Sequence, residues 1–308
     1  GFRARDRLAS VERFMKRFYM VAKDVGTLTS TVTATLSAEH RRRPLVALSA
    51  FGFRRVRIDG FVIADGRIDL EDKSLFHREP GAILRLFELA DERGVEIRPQ
   101  ALRAAIRELR RVNAEVRDAP ATIARIVHAI TAAEHPAELL SRLNDIGALG
   151  RFVPEFGRVV ALMQHNLYHS FTVDEHTLKV IGELDAISRG EPAQELPLAT
   201  EVVQHIVSRP ELYLAAFFHD LGKGRKGNHS AVGEQIAQTV LTRWGQPPER
   251  IETVGWLVRH HLLMTTTAFS RDLEDPKTIQ DFVAVVQSPE RLRLLLLLTV
   301  ADIRGVSA

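Results

Sequence analysis

The sequence contains no cysteine among its 308 residues. This absence excludes a disulfide framework, a zinc site built from thiolates and a cysteine nucleophile, and it is consistent with a reducing compartment. Any metal that the chain binds must therefore be held by histidine, aspartate or glutamate side chains.

The sequence also lacks a long hydrophobic run. Stretches such as the five leucines at 294–298 are far shorter than the ~20 apolar residues that a membrane-spanning helix needs. The N-terminus, GFRARDRLASVERF, has no hydrophobic core of the kind that a signal peptide contains. We therefore expect a soluble cytoplasmic protein that has no membrane partner.

A strong excess of one charge is missing as well, since the formal net charge is +3, and aromatic residues make up only 6% of the chain. The arginine-rich stretches at 41–43, 54–57 and 107–111 alternate with acidic residues on helical faces, and aromatic side chains are not interleaved with them. A nucleic-acid-binding surface typically combines a basic stripe with stacking aromatic residues. We therefore expect solvated helix faces and no nucleic-acid partner.

Helical periodicity dominates what the sequence does contain. Residues 8–24 have the spacing of an amphipathic helix, with one stripe formed by Val11, Phe14, Met15, Phe18 and Val21. Because the chain opens inside this helix without an initiator methionine, we expect it to be a piece of a longer protein. Similar periods predict further helices at 80–93, 98–112, 119–133 and 136–147.

One stretch, GFRRVRIDGFVIADGRIDL at 52–70, has β-type residues instead. Two Asp-Gly steps, at 59–60 and 65–66, interrupt it, and Asp-Gly is a preferred pair for a two-residue turn, so the stretch predicts a short hairpin or meander. A chain of this length has room for about two domains. The expected fold class is mainly α: a helical connector with this β element over residues 1–149, then an all-helical bundle over residues 150–308.

Histidines concentrate in the second half of the chain. Eight of the twelve fall within about a third of it, at positions 165, 169, 176, 205, 219, 229, 260 and 261. Clustering of this kind is what a site with more than one metal ion needs, because imidazole is a common metal ligand. His205 is expected beside the core, and surface or capping positions are expected for His40, His77, His128 and His135.

His176 follows a helix-start signal. Thr172 with Glu175 three residues later is the pattern of a capping box, which puts His176 in the first turns of a helix beside an apolar stripe. Taken alone, His176 is better explained as a partly buried core histidine that hydrogen-bonds to a carbonyl.

The dipeptide His219-Asp220 ends a helix that is apolar nearly all round, ELYLAAFF, and Gly222 and Gly224 follow it. A carboxylate at the end of a buried helix is costly unless it is paired or bound to a metal. Two ligand types side by side allow Asp220 to bridge two cations while His219 holds one of them. The dipeptide by itself is weak evidence, since a chain with twelve histidines produces one by chance.

Further candidates lie at other helix ends. His229 opens a helix in which Gly233, one turn later, leaves room for a metal, although alone it is better explained as a helix-start residue. His260 and His261 end another helix about 100° apart on its surface, so both face one site only if it is wide or holds several ions. Asp302 ends the very apolar LRLLLLLTVADIRG, where a buried carboxylate calls for a cation.

The order His176, His219-Asp220, Asp302 on successive helices resembles the H…HD…D ligand pattern of the HD-domain phosphohydrolase superfamily, whose fold is an all-helical bundle. This resemblance implies that the second half of the chain is an HD domain.

Three more residues extend the resemblance. His229 and the pair His260-His261 are similar to the expanded ligand pattern of dinuclear and trinuclear members of the superfamily, including the HD-GYP group. The full set of candidate metal ligands is His176, His219, Asp220, His229, His260, His261 and Asp302.

A closer resemblance runs over essentially all 308 residues, to the bacterial PII uridylyltransferase/uridylyl-removing enzyme family. Its segments here are ERFMKRFY, YHSFTVDEHTL, FFHDLGKGRKGNHSAVGE, RHHLLM and LTVADIRG. In that family an N-terminal nucleotidyltransferase domain uridylylates the signal protein PII, the HD domain hydrolyses the product, and C-terminal ACT domains sense glutamine.

The chain departs from that family in two ways. It lacks the Gly-Ser and paired-acid strand motif of the nucleotidyltransferase, and it stops six residues after Asp302, before an ACT domain begins. The resemblance therefore implies a central fragment, with the end of the nucleotidyltransferase region and a helical connector over residues 1–149 and the HD domain over residues 150–308. A smaller departure is Asn228, where relatives usually carry Asp.

The resemblance also implies a chemistry. Metal ions on the ligand set would activate water to hydrolyse the bond between UMP and a tyrosine of PII, with Asp220 and Lys223 as catalytic residues and Lys223 stabilising the charge on the phosphate oxygens. Mn or Mg is favoured by the family, and imidazole ligands also suit Fe, Co or Zn. The expected partner is uridylylated PII, and glutamine would act only through the missing ACT domains. Substrate contact by His169 and Tyr168 is a hypothesis.

Two other functions fit the same residues. An HD phosphohydrolase could act on free nucleotides or on a cyclic dinucleotide, although LLMTTTAF stands where HD-GYP proteins carry their GYP segment. An HD domain can also be a non-catalytic, metal-stabilised ligand sensor, although the complete ligand set and Lys223 favour catalysis.

Overall fold

The computed structural model describes residues 14–22, 25, 26, 29, 33, 55–163 and 171–306. Helices form most of this part of the chain and a single small sheet completes it. The fold is therefore mainly α with a short β element, as predicted. None of the helices within the described ranges is both long and apolar enough to cross a lipid bilayer.

The sheet contains four short strands: β1 (Val56–Ile58), β2 (Phe61–Ala64), β3 (Arg67–Leu70) and β4 (Glu96–Ile97). The first three form an antiparallel meander, and β4 pairs with β3 in parallel. The predicted meander is confirmed. Strand β4 was not predicted, because a strand of two residues is too short to show an alternating pattern.

The meander turns where the two Asp-Gly steps predict. Asp59 and Gly60 have φ of 49° and 81°, and Asp65 and Gly66 have φ of 55° and 70°. A type I′ turn needs positive φ at both central residues, which glycine adopts freely and aspartate tolerates better than most residues. This local preference fixes the register of β1, β2 and β3.

The helices of the first half agree with the predicted periods. Several begin with proline, whose fixed φ and missing N–H suit a first helical turn. They are α1 (Leu75–Arg78), α2 (Ala82–Glu92), α3 (Pro99–Glu108), the 3-10 turn Leu109–Arg111, α4 (Ala114–Asp118), α5 (Pro120–Thr131), α6 (Pro136–Asp145), α7 (Ala148–Phe152) and α8 (Pro154–Gly157).

The second half is helical throughout the residues described. Its elements are α9 (Val173–Arg189), α10 (Pro197–Val202), the 3-10 turn Val203–His205, α11 (Arg209–Phe218), α12 (His229–Arg243), α13 (Pro248–His260), α14 (Leu263–Ser270), α15 (Pro276–Val286) and α16 (Pro289–Arg304).

Helix α11 is the centre of this half. Every side chain from Leu212 to Phe218 is buried, and the helix packs against α9, α12, α13 and α16. It also packs against α5 from the first half, and the ring of Phe217 stacks on that of Phe156 with centroids 5.2 Å apart. Apolar residues of both halves thus form one continuous core. The division at residues 149 and 150 falls within α7 and stays a prediction.

The N-terminal helix predicted at 8–24 lies partly outside the described residues. Residues 14–22 are helical, which confirms that part. Nζ of Lys16 donates a hydrogen bond to the carbonyl of Arg158 at 2.7 Å, whereas Phe14 and Phe18 of the apolar stripe are 67% and 56% exposed. Against the expectation for an amphipathic helix, this stripe is not buried by the described residues.

The second hairpin turn gives a test of the meander. Replacing Gly66 with Ala should cost about 1–2 kcal/mol of unfolding free energy, because φ is 70° and a Cβ would meet nothing within 4 Å, so that only backbone strain is added. The midpoint of urea unfolding measures this loss. The control Asp65→Asn should stay within about 0.5 kcal/mol, since asparagine tolerates the same conformation and the ion pair with Arg98 is exposed. An unchanged midpoint for Gly66→Ala would contradict the turn.

Candidate metal centre

The buried helix α11 delivers two polar side chains to the middle of the bundle. His219 and Asp220 follow its last residue and are 0% and 1% exposed. Nδ1 of His219 lies 2.7 Å from the carbonyl of Ala216, which accepts a hydrogen bond from it and leaves Nε2 as the free ring nitrogen. The preceding helix therefore fixes which nitrogen of His219 faces the site.

Two other helices bring their candidates to the same point. His176 of α9 and Asp302 of α16 meet with Nε2 and Oδ1 2.9 Å apart, and Nε2 of His176 lies 3.3 Å from Nε2 of His219. Oδ2 of Asp220 lies 3.3 Å from Nε2 of His219 and 3.7 Å from Nε2 of His176. Residues separated by 126 positions in the chain thus converge, in the order that the sequence predicts.

These separations fit the surroundings of one metal ion. Two ligands bonded to the same ion at about 2.1 Å lie roughly 3–3.5 Å from each other. The two histidine Nε2 atoms are 3.3 Å apart, and the carboxylates of Asp220 and Asp302 each lie 2.9–3.7 Å from these nitrogens. In addition, the buried Oδ2 of Asp220 makes no directed hydrogen bond within the described part of the chain, although it has ion-pair neighbours. A cation there would satisfy this oxygen.

A second group of possible ligands shares Asp220. Asp220, His229 and His261 offer atoms that all lie within 4.8 Å of one another, and Nε2 of His229 is 4.0 Å from Oδ1 of Asp220. Nδ1 of His261 lies 2.8 Å from the carbonyl of Val258, so Nε2 of His261 is the nitrogen that faces the group. Asp220 therefore belongs to both groups of candidate ligands and could contribute to each of two metal positions.

The loop after Asp220 is held against the start of α12 by a close backbone contact. A Cβ on Gly222 would lie 2.0 Å from the carbonyl oxygen of His229, so only glycine fits there. Asn228 caps α12, since its side-chain oxygen accepts a hydrogen bond from the backbone N–H of Ala231 at 3.1 Å. These two local features place His229 beside Asp220.

Gly233 has a different role from the one expected. A Cβ at this position would lie 3.0 Å from Cγ1 of Val258 and 3.4 Å from the carbonyl oxygen of His219. The missing side chain lets α12 pack closely on α13 and on the end of α11, rather than making room for a metal ion.

His260 lies outside both ligand groups. Its ring packs against that of Trp256 with centroids 5.1 Å apart, and the side chain is only partly buried. Because His260 and His261 point about 100° apart around the helix, the structure brings His261 to the site and leaves His260 beside Trp256. A ligand role for His260 stays a prediction.

The remaining histidine and tyrosine candidates are not part of the described ligand groups. His205 lies in the 3-10 turn and is exposed, so the expectation that it packs beside the core is wrong. His165, Tyr168 and His169 lie outside the described residues.

The charges of the site are strongly coupled. Burial alone would lower the pKa of His219, but the carboxylates of Asp220 and Asp302 raise it to about 9. Burial would raise the pKa of Asp220 and of Asp302, yet their histidine neighbours hold both below the ordinary range. Burial and the charge of His219 lower the pKa of His261 to about 4. In the absence of a metal, His219 is the protonated ring at neutral pH.

Lys223 also faces the centre. Its Nζ lies 2.7 Å from Oδ2 of Asp220, and its side chain is only 9% exposed. The spacing of three residues and the turn formed by the N–H of Lys223 with the carbonyl of Asp220 explain why the ammonium group reaches back to the carboxylate. A buried cation next to the candidate ligands is in a position to meet an anionic substrate.

A buried pair of hydrogen bonds at the start of α9 was not predicted from the sequence. Asp174 is 2% exposed and accepts hydrogen bonds from Nδ2 of Asn144 and from the backbone N–H of Ala161, both at 2.9 Å. It ties the first turn of the helix that carries His176 to the connector. An acidic residue in a first helical turn is common, so its burial could not be inferred from the pattern.

An all-helical bundle in which His, His-Asp and Asp from three helices converge is an HD domain, and a comparison with family models agrees. Residues 172–303 match the HD domain, and residues 61–152 match the family described as "Uridylyltransferase GlnD third domain". The His and Asp cluster and this match define a site for divalent metal ions.

Curated relatives identify the family. The chain is 49% identical over 299 residues to the bifunctional uridylyltransferase/uridylyl-removing enzyme of Azospirillum brasilense, covering 96% of this chain and 32% of that protein. Identity to proteins of the same name is 44% in Novosphingobium aromaticivorans and 41% in Caulobacter vibrioides, each over 99% of this chain and 34% and 33% of the relative. The chain belongs to this family and spans about a third of the length of these relatives.

The contact between Gly222 and His229 gives a stability test. Gly222→Ala should lower the free energy of unfolding by at least about 2 kcal/mol, because backbone rather than a flexible side chain blocks the new methyl group. The control Gly182→Ala, within α9, places its Cβ at an ordinary 3.4 Å from Ala137 and should be neutral or stabilising by up to about 1 kcal/mol. Thermal unfolding compares the two, and equal midpoints would show that the loop does not pack as described.

The raised pKa of His219 predicts that metal binding releases a proton. In the metal-free chain the stability that this histidine contributes is fully present below pH 6.5 and is lost as the pH rises through about 9. A histidine must lose the proton on its ligating nitrogen to bind a metal, so binding of Mn²⁺ at pH 7.5 should release about one proton, and the affinity should rise up to about pH 9.

Calorimetry in buffers of different ionisation enthalpy measures the proton count. His205→Gln, which changes an exposed histidine, should release the same number of protons as the unmodified chain. A proton count of zero at pH 7.5 would show that His219 is neutral before the metal binds.

Proposed function

We propose that this chain is the uridylyl-removing part of the bifunctional enzyme, a metal-dependent phosphodiester hydrolase that releases UMP from uridylyl-tyrosine of the signal protein PII. The observation that carries this proposal is Asp220, whose two oxygens face two separate groups of possible ligands while Lys223 faces the same carboxylate. The names of the relatives support removal of a uridylyl group, and the family resemblance supplies PII as its carrier.

The proposed ligands divide between two positions. His176 and His219 lie within 3.7 Å of Oδ2 of Asp220, and Asp302 contacts the same two histidines. His229 and His261 form the second group with Asp220. Divalent ions held there would lower the pKa of a coordinated water from ~15.7 toward ~7 and so supply a nucleophile at neutral pH. We favour Mn or Mg from the family resemblance, while the imidazole ligands are also compatible with Fe, Co or Zn.

The residues of the chain would contribute in distinct ways. The hydrogen bonds from Nδ1 of His219 and His261 to backbone carbonyls fix both rings, so their Nε2 atoms are oriented before a metal or a substrate binds. Lys223, held by Asp220, would stabilise the negative charge that develops on the phosphate oxygens. The leaving tyrosine oxygen has an ordinary pKa of about 10, so it needs less help from an acid than an alkoxide would.

Other parts of the proposal concern the longer protein. The domain division at residues 149 and 150 and control by glutamine through ACT domains belong to this proposal. The family matches at residues 61–152 and 172–303 support a division of the chain into two parts.

The carboxylate of Asp220 gives the main test. Asp220→Asn keeps the size of the side chain but removes the charge that both ligand groups share, so UMP release from uridylylated PII should fall on the order of 10³-fold or more. The control Glu88→Gln changes another buried carboxylate, which is paired with Arg125 in the connector, and should retain activity. Undiminished UMP release by Asp220→Asn would overturn the assignment.

Lys223 is tested separately from the metal. Lys223→Ala should lower kcat for UMP release about 10²-fold, because one charged donor to the phosphate is lost, and it should leave the bound metal unchanged by elemental analysis. Lys226→Ala, an exposed lysine of the same loop, is the matched control and should leave kcat unchanged. Loss of metal in Lys223→Ala would mean that the ammonium group supports the ligands rather than the substrate.

A substrate panel separates the alternatives. Uridylylated PII, free nucleotides and a cyclic dinucleotide are compared under the same Mn²⁺ concentration. Hydrolysis of uridylylated PII alone supports the proposal, a preference for one of the small substrates supports an HD phosphohydrolase of different specificity, and the absence of all turnover with metal bound supports a ligand sensor.

A further inference from the structure

Apart from the candidate metal centre, a polar cavity of about 300 Å³ lies beside the loop that carries Lys223. Arg225 of this loop lines it together with Glu155 and Arg158 at the end of α8 and with Gln235 and Thr239 on one face of α12. None of the candidate metal ligands lines this cavity. It is therefore a separate space, formed where the loop, the connector and α12 meet.

Glu155, the carboxylate that lines this cavity, is already paired with an arginine from outside it. Arg243 donates to both oxygens of Glu155, at 3.0 and 3.2 Å, which is the bidentate geometry of a strong arginine–carboxylate pair. Burial would raise the pKa of Glu155, and these hydrogen bonds bring it below its ordinary value. Glu155 therefore balances the other two arginines only through longer-range charge.

Within the described residues, neither Arg158 nor Arg225 forms a salt bridge with a carboxylate, and both interact with Glu155 only through longer-range charge. Partial burial and the like charge of Arg158 lower the pKa of Arg225, and the charge of Glu155 offsets this only in part. Two guanidinium groups without a salt bridge to a carboxylate thus lie next to Gln235 and Thr239. Such a pair is complementary to a planar oxyanion such as a carboxylate, because each guanidinium group can donate two parallel hydrogen bonds.

The position of the loop links this cavity to the metal centre. Arg225 is two residues after Lys223, and two successive peptide units span at most about 7.6 Å between their Cα atoms. Gly224 between them has φ of 74°, and a Cβ there would lie 2.8 Å from Cδ2 of Leu162. The loop therefore has a backbone conformation that requires glycine at this position. Lys223 faces Asp220 while Arg225 lines the separate cavity.

We propose that the Arg158–Arg225 cavity is an oxyanion site that receives a carboxylate side chain of the protein substrate and so positions it for hydrolysis at the metal centre. This inference rests on the proposed function. Because the phosphate of the uridylyl group would lie at Lys223 and the metal ligands, the anion in this cavity is a different group of the same substrate. The site would distinguish a protein substrate from a small phosphodiester.

The first test is a direct binding experiment that does not depend on activity. Acetate is titrated into the isotope-labelled 308-residue chain at constant ionic strength, with chloride as the exchanged ion, and the Nε–H signals of arginine are followed by NMR. The signals of Arg225 and Arg158 should shift together and saturate, and Arg158→Gln should abolish the saturating shift of Arg225. Shifts that rise linearly for all exposed arginines would overturn the site.

The second test identifies the source of the anion. KM is measured for uridylylated PII and for the p-nitrophenyl ester of UMP. The ratio of KM for PII to KM for the ester should rise about tenfold in Arg225→Gln, because one charged hydrogen bond to the protein substrate is lost. Arg225→Lys should give a smaller rise, because it keeps the charge but loses the fork. Arg110→Gln, an exposed arginine of the connector, removes the same charge and should leave the ratio unchanged.

The outcomes separate the two levels of inference. An equal rise of KM for both substrates would mean that the cavity recognises the nucleotide itself. Unchanged KM values for both substrates would mean that the cavity takes no part in substrate binding. Either result overturns the proposal. If neither substrate is hydrolysed by the unmodified chain, the proposed function fails, and the acetate titration still decides whether the cavity binds an oxyanion.

Discussion

The structure of the second half of the chain depends on one buried carboxylate. Asp220 is 1% exposed and stands at the end of α11, a helix whose last seven residues are all buried apolar or tyrosine side chains. A carboxylate in such surroundings is stable only when cations or directed hydrogen bonds compensate its lost hydration. The protein places His219, Lys223 and further imidazoles around it, so the same residues that make Asp220 tolerable also form the candidate metal centre.

The bundle around Asp220 explains why distant residues matter to the site. Helix α11 is clamped between α9, α13 and α16 and also packs on α5, so its end is fixed by both halves of the chain. Asp174 ties α9 to the connector through Asn144, and Gly222 lets the loop approach His229. Precise separation of ligands therefore follows from close packing of backbone and core, since protein interiors transmit even small changes of volume.

The fold and most of the site could be predicted because their signals are local. Asp-Gly steps have few alternatives to a tight turn, the capping box before His176 marks a helix start, and apolar helices that end in Asp220 and Asp302 imply buried acids. Other features depend on which elements meet in space. Sequence did not distinguish His261 from His260, it assigned Gly233 to a metal rather than to the contact with Val258, and it did not identify the pairing of β4 or the burial of Asp174.

The balance of charge at the centre suggests why the fold need not depend on a metal. Without an ion, protonated His219 and Lys223 offset Asp220 and Asp302, so two cations face two anions in the buried region. A divalent ion that displaced the proton of His219 would replace one compensating charge by another. Small metal domains that are unfolded without their ion differ in this respect, because here a large apolar core already holds α9, α11 and α16 together. Metal binding at this centre would therefore be coupled to pH through the same histidine.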